Sequence, residues 1–256
     1  EISACLVGSE MCIRDSDIGE TIAEVLDHVG RDGIVTVEEG RGLTSEIEYI
    51  KGMQFERGYI SSYMATNQER MEAVLSNPYI LITDKKITSI PDLLPLLERL
   101  LAVDRKELMV IAEDIEGEAL TTLVVNKMRG NFNVLAVRAP SFGDRREAAM
   151  EDIAIMTGGR VISEKTGTRL QNAIMSDLGT ARSVTTTRDS TLIVDGGGSQ
   201  EAIQARLREL RAQLANGVSD YDREKLQQRL ANLSGGVGVI KVGAATEAEM
   251  KEKKLR

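Results

Sequence analysis

Five carboxylates in two short stretches are the first residues whose types and spacing could do chemistry. "AEDIEGE" supplies Glu113, Asp114, Glu116 and Glu118, and "ITDKK" supplies Asp84. Each stretch follows a β-rich run, and open α/β sheets often bind ligands beyond the carboxyl ends of their strands. Asp84, Glu113 and Asp114 could there hold Mg²⁺ for phosphoryl transfer. The simpler reading is that acids before a helix favour its positive N-terminal dipole and stay solvated. The glycine-rich pieces "DGGGS" (195–199) and "SGGVGV" (234–239) match neither a phosphate-binding loop nor a dinucleotide fingerprint and read as turns. His28, the single histidine, stands near a helix end with no Ser, Cys or carboxylate pattern directed at it. No nucleophile motif is present, so no catalytic residue and no metal ligand set is assigned.

A second kind of chemistry is apolar. The chain has five Tyr, three Phe and no Trp, and Phe55, Tyr59 and Tyr63 fall together in "GMQFERGYISSYM" (52–64). Spacing of four is what an amphipathic helix shows. Gly52 and Gly58 argue against one, because Gly weakens a helix interior by about 1 kcal/mol relative to Ala. Two later segments carry more apolar residues than a crossover helix needs. One has Leu93, Leu94, Leu96, Leu97, Leu100 and Leu101, and the other Ala119, Leu120, Leu123, Val124, Val125 and Met128. A surface helix buries a stripe of roughly 100°. The surplus is either covered by another element or exposed, and a large exposed apolar patch marks a binding site for apolar partners.

The elements that must position these residues follow a clear order. Ile18, Ile22, Val25 and Val29 predict a helix stopped by Gly30, "GIVTV" (33–37) a strand and "SEIEYI" (45–50) a half-buried strand. From residue 79 strands and helices alternate. Strands are expected at 79–83, 108–112, 134–137 and 160–163, with helices at 91–101, 116–130 and 144–159. That alternation means parallel strands joined by crossover helices, hence an α/β fold. "SVTTT" (183–187) and "TLIVD" (191–195) read as paired strands. Ile203, Leu207, Leu210 and Leu214, then Leu226, Leu230 and Leu233, read as a helical hairpin, with Ser219 capping its second helix. "VGVIKV" (237–242) is a strand. Thr246 and Glu249 have capping-box spacing for a helix that meets the chain end at Arg256, so a longer protein is expected.

Bulk properties narrow the classes. In 256 residues the hydrophobic content is 42% and the charged content 28%, ordinary for a globular protein, while 3% aromatics require an aliphatic core. A formal net charge of −8 weighs against nucleic-acid binding, which rests on phosphate neutralisation. No apolar run approaches the roughly 18 to 20 residues of a membrane helix. Cys5 and Cys12 lie in the first sixteen residues and the rest has none, which fits a reduced cytosolic setting without a disulfide framework. Residues 1–16, "EISACLVGSEMCIRDS", resemble translated adapter read-through and are set aside as a non-native leader.

"KGMQFERGYISSYM", "IAEDIEGEALTTLVVNKMRG", "VRAPSFGDRR", "DIAIMTGG" and "SDYDREKLQQRLANLSGGVGVIKVGAATEAEMKEKK" resemble the middle of a GroEL-type group I chaperonin. The likeness runs in order from about residue 17 to 256. It implies that residues 51–237 form the apical domain, a swivelling β/α module, and that 17–50 and 238–256 belong to a partial α+β intermediate domain. The family's equatorial ATPase domain, with its ATP and Mg²⁺, would lie outside the chain. The implied partners are unfolded or misfolded polypeptides, a GroES-type co-chaperonin and identical subunits in a double heptameric ring. Nucleic acid and membrane are not among them, and the implied setting is bacterial cytoplasm or an organellar matrix.

By the same resemblance, polypeptide and co-chaperonin would bind Tyr59, Tyr63, Met64, Leu94, Leu97, Leu120, Val124, Val125 and Asn126. Arg57 and Glu247 match positions that form a charge contact between neighbouring subunits in the family's closed state. Two departures stand in the 52–64 stretch: Met64 replaces a Phe, and Ser62 a Pro, of the best-known member. Met is a soft apolar residue, so peptide binding is expected to survive. The loop at 65–72 also differs.

Overall fold

The computed structural model describes residues 19–27, 34–39, 44–50, 52–103, 105–215, 220–234, 237–244, 249, 252 and 253. They belong to two units, Glu1–Ile50 with Gly235–Arg256, and Lys51–Ser234. The leader, His28, Ser219, Thr246 and Glu247 lie outside the described residues.

The smaller unit has helix α1 (19–27) and strands β1 (Ile34–Glu39), β2 (Glu46–Ile50) and β13 (Val237–Val242). β13 lies in the middle, parallel to β1 and antiparallel to β2. Val25 of α1 packs with Ile240 and Val242, flanked by Val35 and Ile47. Ile22, one turn earlier on α1, is exposed, and the other two residues of the expected stripe, Ile18 and Val29, lie outside the described residues.

The larger unit is mixed α/β. Its sheet has the order β3 (Gly52–Phe55), β12 (Thr191–Gly196), β11 (Gly179–Thr186), β5 (Tyr79–Thr83), β7 (Glu107–Ala112), β9 (Asn133–Arg138). β4 (Ala73–Ser76) pairs with the far end of β11, and β10 (Val161–Ile162) with the end of β5. β5, β7, β9 and β10 are mutually parallel, as their alternation with helices predicts. "YILIT" and "LMVIA" are buried on both faces, which explains their continuous apolar runs. Two short strands, β6 (Lys86–Ile87) and β8 (Asp114–Ile115), pair beyond the ends of β5 and β7.

Helix α2 (Leu94–Ala102) connects β5 to β7, and α3 (Gly117–Met128) connects β7 to β9. Both crossovers step the same way along the sheet, so right-handed connection puts both helices on one face. α4 (Asp144–Thr157) returns from β9 to β10 in the opposite direction and lies on the other face. The predicted helix at 91–101 is in fact two pieces, because Pro91 sits in a separate 3₁₀ turn (Ile90–Asp92) and Pro95 opens the α-helix. α4 ends on Gly158 at φ 73°, a left-handed stop that favours glycine.

Helices α5 (Gln200–Ala215) and α6 (Asp220–Ser234) pack on each other and on α4 as a second layer. Asp152 of α4, 2% exposed, fastens them. Its carboxylate accepts from Arg206 Nε of α5 at 2.8 Å and from Arg229 Nε of α6 at 2.6 Å. Arg206 also reaches Glu151 and Glu209.

Candidate functional site

The surplus of apolar residues on α2 and α3 divides between core and surface. On α2, Leu96 and Leu100 are buried, as is Leu93 just before it. Leu97 is 9% exposed and belongs to the core, whereas Leu94 is 45% exposed. Leu101 also faces outward. On α3, Ala119 and Leu123, four apart, are buried. Leu120 and Val124 are half-buried against the core. Val125 and Met128, three apart and so neighbours on one face, are exposed, Met128 by 70%. Asn126 donates to the Thr122 carbonyl at 2.9 Å and accepts from Asn131, so its side chain secures the end of its own helix.

The stretch at 52–64 is not a helix. It opens as strand β3, bends at Glu56 and again at Ile60, and reaches a 3₁₀ turn at Ser62–Met64. Gly58 is required there: a Cβ would come within 2.0 Å of the Arg188 carbonyl oxygen. Phe55 is core. Tyr59 forms an isolated bridge with Val137, donates its N–H to Thr187 and is half-buried. Its hydroxyl is enclosed with no hydrogen-bond partner among the described residues. The turn Ser62–Met64 packs against α3 and β9. Tyr63 points out and is 67% exposed.

Met64 corrects the expectation. It is 0% exposed and belongs to the core, not to the surface. Its Sδ accepts the Ala136 N–H at 3.1 Å, and its carbonyl accepts from Lys127 Nζ at 2.6 Å. Adjacent residues in a 3₁₀ turn point in different directions, so Tyr63 and Met64 cannot share one face. Burial pushes the Lys127 ammonium down from its ordinary value, partly opposed by Glu107. Sequence reasoning missed Lys127, although a lone Lys amid "LVVNKM" was a visible signal.

Arg57 lies over the Phe142 ring, 5.0 Å from its centre. That is a cation–π contact within its own unit. Its expected partner Glu247 lies outside the described residues.

The carboxylates meet separate partners. Asp84 accepts from Ser163 Oγ at 2.5 Å, Glu113 from Arg146 at 2.6 Å, and Asp114 from Arg138 at 2.9 Å. Glu116 pairs with Lys86 at 2.8 Å. Among the described residues no group of three or more His, Cys, Asp or Glu side chains is arranged to hold a metal. Nor is any described helix long and apolar enough to cross a membrane. No model of a known protein family matches the chain.

What the arrangement offers chemically is exposed apolar surface on α2, α3 and the turn beside α3. It carries Leu94, Val125, Met128 and Tyr63, with Leu120 and Val124 beneath.

Proposed function

We propose that the chain is part of a GroEL-type group I chaperonin and that its larger unit binds non-native polypeptide through the α2–α3 face. The observation that carries this reading is the exposure of Leu94, Val125, Met128 and Tyr63 on helices and a turn whose neighbouring residues are core. Burying apolar area stabilises by about 25 cal/mol per Å² whatever the order of the client's residues. Such a surface accepts many unfolded chains, and an exposed thioether adapts its shape to each. The sequence resemblance supplies the rest of the proposal. A GroES-type co-chaperonin would compete for the same face, the larger unit would be the apical domain, and the subunit would work in a double heptameric ring. ATP and Mg²⁺ would be handled elsewhere in that assembly.

The test is affinity for a permanently unfolded reporter, such as reduced and alkylated lysozyme. Val125→Ser, Met128→Ser and Tyr63→Ser should each weaken binding, and the triple variant should weaken it by about 100-fold, roughly 2.7 kcal/mol. Unchanged affinity in the triple variant would remove the reading. No observation favours phosphoryl transfer, since Asp84, Glu113 and Asp114 are each answered by a different side chain.

A further inference from the structure

Lys127 sits in the half of α3 that shows apolar side chains to solvent, yet its ammonium is directed inward. Nζ donates to the Met64 carbonyl at 2.6 Å and lies 3.4 Å from the Val134 carbonyl. Those oxygens belong to different elements, the turn at Ser62–Met64 and strand β9. A short 3₁₀ turn leaves its last carbonyls without a following helical N–H, and Ala65 leaves the turn with extended backbone. A lysine stem is long enough to lie along apolar surface while its three donors answer carbonyls at the far end.

The remaining attachments of the segment run to β9 and to the β11–β12 turn. The Ile60 N–H donates to the Ala136 carbonyl at 2.9 Å, the Met64 Sδ accepts from Ala136, and the Tyr59 N–H donates to Thr187. The thioether is a weak acceptor. Lys127 therefore supplies the charge-assisted link in the set, and it comes from the same helix that presents Val125 and Met128. Burial lowers the ammonium's affinity for its proton, so holding the charge there has a cost that its two carbonyl partners offset.

We infer that Lys127 is a positioning residue: by hydrogen-bonding the Met64 carbonyl it fixes the 59–64 segment, and so the exposed Tyr63 ring, beside the apolar face of α3. Its consequence for clients rests on the polypeptide-binding reading, whereas the clamp itself does not.

The experiment is hydrogen exchange on the whole chain without client, followed by reporter affinity. In Lys127→Met, which keeps an unbranched stem and removes the donors, the Ile60 and Met64 amides should exchange at least about tenfold faster. Amides of β5 and β7 should keep their protection. Reporter affinity should fall by about as much as in Tyr63→Ser. Lys127→Gln, which keeps an N–H donor, should restore part of the protection.

Unchanged exchange at Ile60 and Met64 overturns the inference. So does acceleration shared equally by β5 and β7, which would make Lys127 an ordinary core residue. Should Lys127→Met not fold, the same amides in Lys127→Leu, which also lacks the donors, decide by the same criterion. Loss of segment protection with unaltered reporter affinity keeps the clamp and removes the binding role given to Tyr63.

Discussion

The two faces of the parallel sheet are finished differently. On one, α4 buries Met150, Ile153 and Met156 and is itself overlaid by α5 and α6. On the other, α2 and α3 bury their inner residues and leave Leu94, Val125 and Met128 bare. Both faces carry helices of similar origin, so the bare one does not follow from the crossover topology. The overlaid face is fastened by a buried carboxylate between two arginines, a directional device that holds one partner in one place. The bare face carries exposed apolar surface, whose burial is non-directional and selects no single partner by geometry. One unit thus separates fixed internal packing from exposed apolar surface by face.

The largest loss is expected at Asp152. Asp152→Ala leaves Arg206 and Arg229 without their shared carboxylate, and breaking a buried pair of this kind costs about 3 to 5 kcal/mol. Urea unfolding should show that loss, and proteolysis should cut first within α5 and α6. Met64→Ala comes next, at about 2 to 5 kcal/mol for a fully buried side chain, and should not spare the fold as a surface substitution would. Met128→Ser should change stability by no more than about 0.5 kcal/mol while weakening reporter binding, a split that defines the bare face.

The smallest effect concerns Glu164. Its hydrogen bond and ion pair with Lys85 hold its carboxyl below the ordinary carboxylate range. A lowered folded-state value means stability is present above the unfolded value and is lost as pH falls through the folded one. Glu164→Gln should remove a small part of the acid dependence, and at neutral pH nothing beyond the loss of a solvent-screened surface pair.

The alternating core was legible because "YILIT", "LMVIA" and "VLAV" are continuous apolar runs separated by helical patterns of the right length. The surplus on α2 and α3 was legible as a count, and the structure divides it residue by residue. What escaped has physical reasons. "GMQF" and "AVLS" are four-residue strands, too short to show a period. Met64 lies in a turn, where sequence carries no rule for which neighbour points inward. The Asp152 carboxylate meets partners 54 and 77 residues away, beyond any local pattern. Gly58 reads in the sequence as a helix weakener, but its need comes from a carbonyl 130 positions further along the chain.

Strand β9 closes one end of the sheet, and its outward groups are answered by things other than a strand. Ala136 gives its N–H to a sulfur and takes an N–H from Ile60, while the Val134 carbonyl faces an ammonium. An edge answered in this way offers fewer free backbone groups to a further strand. Under the proposed function, extended apolar chains would be concentrated beside this edge, the condition under which an open edge would seed cross-β stacking. The plugged edge would let such chains be held beside the sheet without being copied onto it.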